Sequence, residues 1–306
     1  MPRTARRPLR RSSRALGFTM TLPALVLMLL FLLWPIFTAA DYSTTSASGF
    51  GDKQRVGAEN YARALTDPGL YAAFGRNIVF AAIVVFFSIA IGFVIAYFLF
   101  LRVAGWRFLQ LLVMIPYIMP LVVTALLWQC MLEPENGLVN TALRSVGLGV
   151  WAGPWLTGEG TALGSVSLVQ IWVTIPFAML LIFGAMISLP GEVMEAAKLD
   201  GAGHPTIMLR VVLPMVRPTI VLVAFILTVQ LFRSFDLVYL LTHGGPVGAT
   251  TIATLYVFIQ GFVNNEYGYA NALGLVIGVV LVLVALLPVL RNRAAARLIA
   301  RRKVDK

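Results

Sequence analysis

Apolar residues gather into six long windows, at residues 17–40, 77–101, 108–131, 163–188, 219–242 and 270–290. Each is long enough to cross a hydrocarbon layer of about 30 Å, which takes roughly 20 helical residues. Backbone groups find no partners in hydrocarbon, so spanning segments must be helices or closed barrels, and barrel strands would be about ten residues long and alternate. The pattern therefore predicts an all-α polytopic integral membrane protein with six transmembrane helices.

The longest polar interruption between two such windows is residues 189–218. Pro190 disfavours the helical region for Leu189, so the preceding helix ends there. Glu192 to Leu199 reads as a short helix with an acidic first turn, where the helix dipole favours negative charge. Gly201, Gly203 and Pro205 force a turn. Thr206 to Val212 reads as a second short helix, ended by Pro214. Elsewhere, residues 41–76 form a loop with a Ser/Thr/Gly-rich tract at 43–51 and a short amphipathic helix from Glu59. The loop at 133–162 is rich in Gly, Pro and Trp and shows no periodicity. The third window carries Pro116 and Pro120, which break backbone hydrogen bonds in mid-membrane; the helix either lines a cavity or is simply kinked. The stretch 251–263 is too short and too broken by Gln260 and Gly261 for a seventh span, and reads as a partly inserted or surface helix.

Composition agrees with the windows. Of 306 residues, 59% are hydrophobic and only 12% charged, whereas a soluble domain carries about a quarter charged residues. The net charge of +11 is unevenly placed. Arg3, Arg6, Arg7, Arg10, Arg11 and Arg14 precede the first window, and Arg291, Arg293, Arg297, Arg301, Arg302, Lys303 and Lys306 follow the last. Arg102, Arg107, Lys198, Arg210 and Arg217 fall on the same side, against Lys53, Arg55, Arg63, Arg76 and Arg144 opposite. The positive-inside rule then puts both termini and the 189–218 loop in the cytoplasm. The basic ends read as topology signals that touch anionic lipid, not as a nucleic-acid surface. The run after the first arginines exceeds the 7–15 residues of a cleavable leader's apolar core, which favours a retained signal-anchor; Phe37-Thr38-Ala39-Ala40 leaves cleavage as the alternative. Cys130 is the only cysteine and reads as a small apolar packing residue.

No catalytic set is visible. The phosphate-binding Gly-x-x-x-x-Gly-Lys-Ser/Thr pattern is absent. His204 and His243 fall on opposite sides of the membrane by this topology, so no metal site is expected. Arg233 and Asp236 are spaced to pair along one helix face; they either hold the end of the fifth span or face a substrate. Gln170, Gln230 and Asn271 serve either as helix–helix contacts or as substrate contacts, and Trp172 and Phe177 offer faces on which a sugar would stack. Trp128 reads as an interfacial belt residue.

Glu195-Ala196-Ala197-x-x-Asp200-Gly201-Ala202, followed by Leu213-Pro214, resembles the cytoplasmic loop of the permease subunits of bacterial binding-protein-dependent ABC importers. Glu59-Asn60-Tyr61, Arg76-Asn77, Pro116-Tyr117-x-x-Pro120, Pro134-x-x-Gly137-x-x-Asn140, Trp172-x-x-x-Pro176-Phe177, Phe235-Asp236-x-x-Tyr239 and Gly244-Gly245-Pro246 are similar to the carbohydrate-uptake branch. The chain departs from the family where an aromatic pair is usual in the loop, having Pro205 and Met208 instead. The resemblance implies a core permease domain at 77–290, flanked by a basic N-terminus at 1–16, a first helix and exported loop at 17–76, and a basic C-terminus at 291–306. It implies that Glu195, Ala196, Ala197, Asp200, Gly201, Ala202, Met208, Leu213 and Pro214 couple to a separate ATPase, with the small residues permitting close backbone approach. It further implies two ATPase subunits holding ATP and magnesium, a second homologous permease and an extracytoplasmic solute-binding protein. The solute would be a sugar or glycerol phosphate. A stand-alone secondary transporter or channel is the alternative, and it should show paired carboxylates near mid-bilayer.

Overall fold

The computed structural model describes residues 12–48 and 53–304, with side chains at 18–48 and 53–286. The side chains of the basic tails, the first residue of the first window and the end of the last, and residues 49–52, which include the end of the Ser/Thr/Gly tract, lie outside the described residues. Among the described residues every regular element is a helix, and the only strand-like pairing is an isolated bridge between Thr45 and Arg55. Among the described residues five helices are long and apolar enough to cross a membrane, and a helix pair bent by 102° makes a sixth if it is counted as one span. The chain divides into two compact units, residues 1–66 with 260–276 and residues 67–259 with 277–306.

In the first unit, α1 (Ser12–Met28) continues through a π turn into α2 (Trp34–Ser43), and α3 (Glu59–Thr66) follows the loop. The Asn60 side chain is buried and donates to the carbonyls of Ser43 and Thr45, both at 2.9 Å. The Tyr61 hydroxyl meets Ser43 Oγ at 2.6 Å. The Glu59-Asn60-Tyr61 motif thus ties α3 to the end of α2. Arg63 pairs with Glu266 at 2.8 Å and lies over the Tyr269 ring.

In the second unit, α4 (Pro68–Phe100) begins at Pro68 rather than Asn77, because Asp67 caps it by accepting from the Gly69 amide and Pro68 suits the first helical position. It packs along α8 (Ala162–Ile187). A Cβ at Gly92 would stand 2.9 Å from the Met179 amide nitrogen, so glycine sets the closeness of these two helices. Two apolar clusters line this contact. One surrounds Phe80, Val84, Val166, Leu237 and Leu255; the other surrounds Leu99, Met179, Ile182, Met186 and Val212.

The third window is not one helix. α5 (Trp106–Ile118) and α6 (Leu121–Met131) meet at 102°. Met119 is extended, as the residue before Pro120 must be, so the break falls there. α7 (Leu138–Ser145) and a 3₁₀ turn at Gly149–Trp151 occupy the loop that showed no periodicity.

After α9 (Gly191–Leu199), α10 (His204–Thr206) runs through a π turn at Ile207–Val212 straight into α11 (Leu213–Phe232). The expected second loop helix, ended by Pro214, is instead the start of the fifth span, which extends from His204 to Phe232. A widened turn ahead of Pro214 accommodates a ring and a missing N–H that a tight helix would not. The same span stops at Phe232, and α12 (Asp236–Thr242) is a separate short helix. α13 (Ala253–Phe258) is not a surface helix, since Ile252, Ala253 and Leu255 are fully buried. The last element, α14, is Tyr267–Val304.

Candidate functional site

The 189–218 loop is built around one left-handed residue. Gly201 has φ +79°, and its amide donates to the Lys198 carbonyl at 3.0 Å. The Ala202 amide donates to the Ala197 carbonyl, also at 3.0 Å. These two bonds form a Schellman cap, in which the orphan carbonyls of the last helical turn are met by the chain folding back. Asp200 is the last residue before the turn, and Ala197 and Ala202, at the two positions where such caps often carry an apolar contact, both rest against the cluster around Leu99 and Met186. The run from Glu195 to Ala202 is therefore first a helix-stop.

This fold sorts the loop residues into two faces. Met194, Ala197, Ala202, Met208 and Leu213 pack inward. Glu192, Glu195, Ala196, Leu199, Asp200, Gly201 and Pro214 are exposed, with Leu199 88% so. Ala197 and Ala202 are half-buried at the paired positions of the cap, whereas Ala196 and Gly201 are exposed. A Cβ at Gly201 would meet nothing within 4 Å, so its backbone conformation, not local crowding, demands glycine.

One hydrogen bond found by no motif ties the loop to the bundle. Tyr97, near the end of α4, has a buried side chain whose hydroxyl donates to the His204 carbonyl at 3.2 Å and lies 3.4 Å from His204 Nδ1.

A second feature lies where the helices are discontinuous. A cleft of about 220 Å³ is lined by Leu121 of α6, Gln170 and Thr174 of α8, Gln230 of α11, and the segment from Arg233 to Leu237. Four expected pathway residues thus converge: Gln170, Gln230, Arg233 and Asp236. Arg233 and Asp236 do not share a helix face, because Arg233 caps α11 and Asp236 opens α12. No ion pair joins them, and both are exposed. The break between α11 and α12 survives because other elements satisfy its carbonyls. Thr254 Oγ1 donates to the Ser234 carbonyl, and the fully buried Asn77 carboxamide reaches the Leu231 carbonyl at 3.5 Å and accepts from the Ala253 amide at 3.3 Å. Gln129 Nε2 donates to the Leu240 carbonyl at 2.7 Å.

The other pathway candidates lie elsewhere. Trp172 packs edge-on against Trp128 at 5.6 Å, which makes Trp128 a half-buried interior residue rather than a belt residue. Phe177 is half-buried against the second apolar cluster. Asn271 belongs to the first unit and donates to the Tyr267 carbonyl at 2.8 Å. Among the described residues no group of three or more His, Cys, Asp or Glu side chains is placed to hold a metal.

The chain belongs to the family described as binding-protein-dependent transport system inner membrane component, whose model matches residues 88–302. It is a multi-pass membrane protein of the ABC importer permease type, a class of non-catalytic subunits.

It is 32% identical over 269 residues to the sn-glycerol-3-phosphate transport system permease protein UgpA of Salmonella typhi, covering 87% of this chain and 90% of that protein. It is 30% identical over 262 residues to the trehalose/maltose transport system permease protein MalF of Thermococcus litoralis, covering 85% and 88%. Its fold is also that of a chain in the crystal structure of a bacterial alginate ABC transporter in complex with an alginate pentasaccharide-bound periplasmic protein. The TM-score there is 0.77 over 90% of this chain and 93% of that one, at 22% identity.

Proposed function

We propose that this chain is the transmembrane subunit of an ATP-driven importer for a sugar or a related solute such as a glycerol phosphate, in a bacterial plasma membrane with both termini cytoplasmic. The observation that carries the reading is the capped loop. Its exposed Glu192, Glu195, Leu199 and Asp200 form a surface for an ATPase subunit, while Met194, Ala197 and Ala202 seat the same loop on the bundle. ATP and magnesium are held by two such ATPase subunits, and this chain performs no hydrolysis. A second homologous permease completes the pathway, and an extracytoplasmic binding protein delivers the solute.

Closure of the ATPases pushes the loop, and the broken spans change their packing so that the cleft opens first to one side and then to the other. The cleft suits a hydroxyl-rich solute. Gln170 and Gln230 offer donors and acceptors, and the unpaired Arg233 and Asp236 offer one charge of each sign. The carbohydrate substrates and glycerol phosphate named for the relatives support this class.

Co-purification followed by reconstituted uptake tests the proposal. An ATPase subunit should accompany the chain, and uptake should stop when that ATPase is disabled. Uptake that persists without ATP and follows an ion gradient refutes it.

A further inference from the structure

At the end of the second unit opposite the 189–218 loop, α7 and the 3₁₀ turn Gly149–Trp151 form a small hairpin between α6 and α8. Asn140 is its hub. Its side chain is fully buried and donates to the carbonyls of Pro134 at 2.9 Å and Gly153 at 3.0 Å. It accepts from the Gly153 amide at 3.2 Å and from Trp155 Nε1 at 2.7 Å. Arg144 donates to the carbonyls of Glu135 and Pro134. A Cβ at Gly137 would collide with the Glu133 carbonyl. The Pro134-x-x-Gly137-x-x-Asn140 motif is therefore a rigid bracket.

The bracket has two apolar sides with different fates. Val139, Trp155 and Leu156 rest on the cluster that contains Leu132 and Val166, next to the end of α6 and the start of α8. On the other side Leu138, Val146, Val150 and Trp151 are exposed by 63, 69, 97 and 71%. From Ser145 to Gly158 the chain carries no charged residue. A well-pinned element that holds large apolar side chains outward is uncommon in a soluble loop, and such patches mark partner or membrane contacts.

We infer that this hairpin is an interfacial membrane anchor, with Val150 and Trp151 seated at the boundary between lipid headgroups and acyl chains. Two observations select lipid over a protein partner. The hairpin is braced against the ends of two spans, so its tip stands at the height of the interfacial layer, which adds roughly 5–8 Å beyond the hydrocarbon on each side. Its tip combines an exposed tryptophan with aliphatic side chains, the composition favoured there. The anchor would fix the height of α6, and with it Leu121 at the polar cleft, against the bilayer.

The test places a fluorophore at the tip. Val150→Cys in a Cys130→Ala background, labelled with NBD in the full-length protein assembled with its partner subunits in nanodiscs, should show blue-shifted emission. That emission should be quenched by nitroxide-labelled lipid and shielded from aqueous iodide, with or without the binding protein. Adding Trp151→Glu should shift the emission back toward the red while the protein stays assembled. Iodide quenching without lipid quenching overturns the inference, as does a blue shift that appears only when the binding protein is added.

Discussion

Gly201 offers the sharpest perturbation, because its two candidate roles separate by substitution. With φ +79° and open space where a Cβ would stand, Gly201→Ala meets no steric neighbour but must hold an L-residue in the left-handed region, at a cost of roughly 1–2 kcal/mol. Since 1.4 kcal/mol is tenfold in an equilibrium constant, the cap should open about 5–30 times more often. The reporters are the amides of residues 201 and 202, whose bonds to the Lys198 and Ala197 carbonyls close the turn. In hydrogen exchange under conditions where opening limits the rate by equilibrium, both should exchange faster by that factor in Gly201→Ala. Gly201→Asn should change them far less, because asparagine tolerates this conformation. Exchange in α4 and α8 should not move. If alanine and asparagine behave alike, or neither alters exchange, left-handed strain is not why glycine stands here. ATP-driven uptake then reads the second role: Gly201→Trp should abolish uptake while the bundle stays folded, and Gly201→Asn should retain it if handedness matters more than size.

Three further outcomes follow from other contacts. Gly92→Ala forces a Cβ to 2.9 Å from the Met179 amide nitrogen, so α4 and α8 must separate, at about 1–3 kcal/mol, read as a lower thermal midpoint; an unchanged midpoint contradicts the close approach. Tyr97→Phe removes the hydroxyl that holds the His204 carbonyl, a loss of about 1 kcal/mol; solute moved per ATP hydrolysed should fall while assembly is unaltered, and a constant ratio rejects the tie. Glu133 accepts hydrogen bonds from backbone amides, that of Asn136 first, which hold its carboxyl below the ordinary range. A depressed carboxyl contributes above its unfolded value and is lost as pH falls through the folded one. Protection of the Asn136 amide should therefore be full at neutral pH and decline only below about pH 4.5, and Glu133→Gln should lack that decline.

Much of the site was legible in order but not in shape. The residues from Glu195 to Ala202 were readable as a loop signature, yet only the cap geometry shows why alanine stands at 197 and 202: both sit at the paired positions of a helix-stop. Arg233 and Asp236 looked like neighbours on one helix, because nothing local announces a break at Ser234. The carbonyls freed there are met by Asn77 and Thr254, which are distant in sequence. Tyr97 carried no motif at all, since a tyrosine near a span's end has an ordinary place at the interface.

By itself the sequence determined the class of the molecule. Apolar windows of span length demand helices, and Pro190, Gly201 and Pro120 end helices through their own backbone preferences, which act within a few residues. Tertiary structure decided which breaks are tolerated, which polar groups meet and which faces turn inward. The clearest case is the gap between α11 and α12, whose freed carbonyls are met by Asn77 and Thr254 from other elements. Periodicity is a local signal, whereas hydrogen-bond satisfaction in a membrane is a property of the whole bundle.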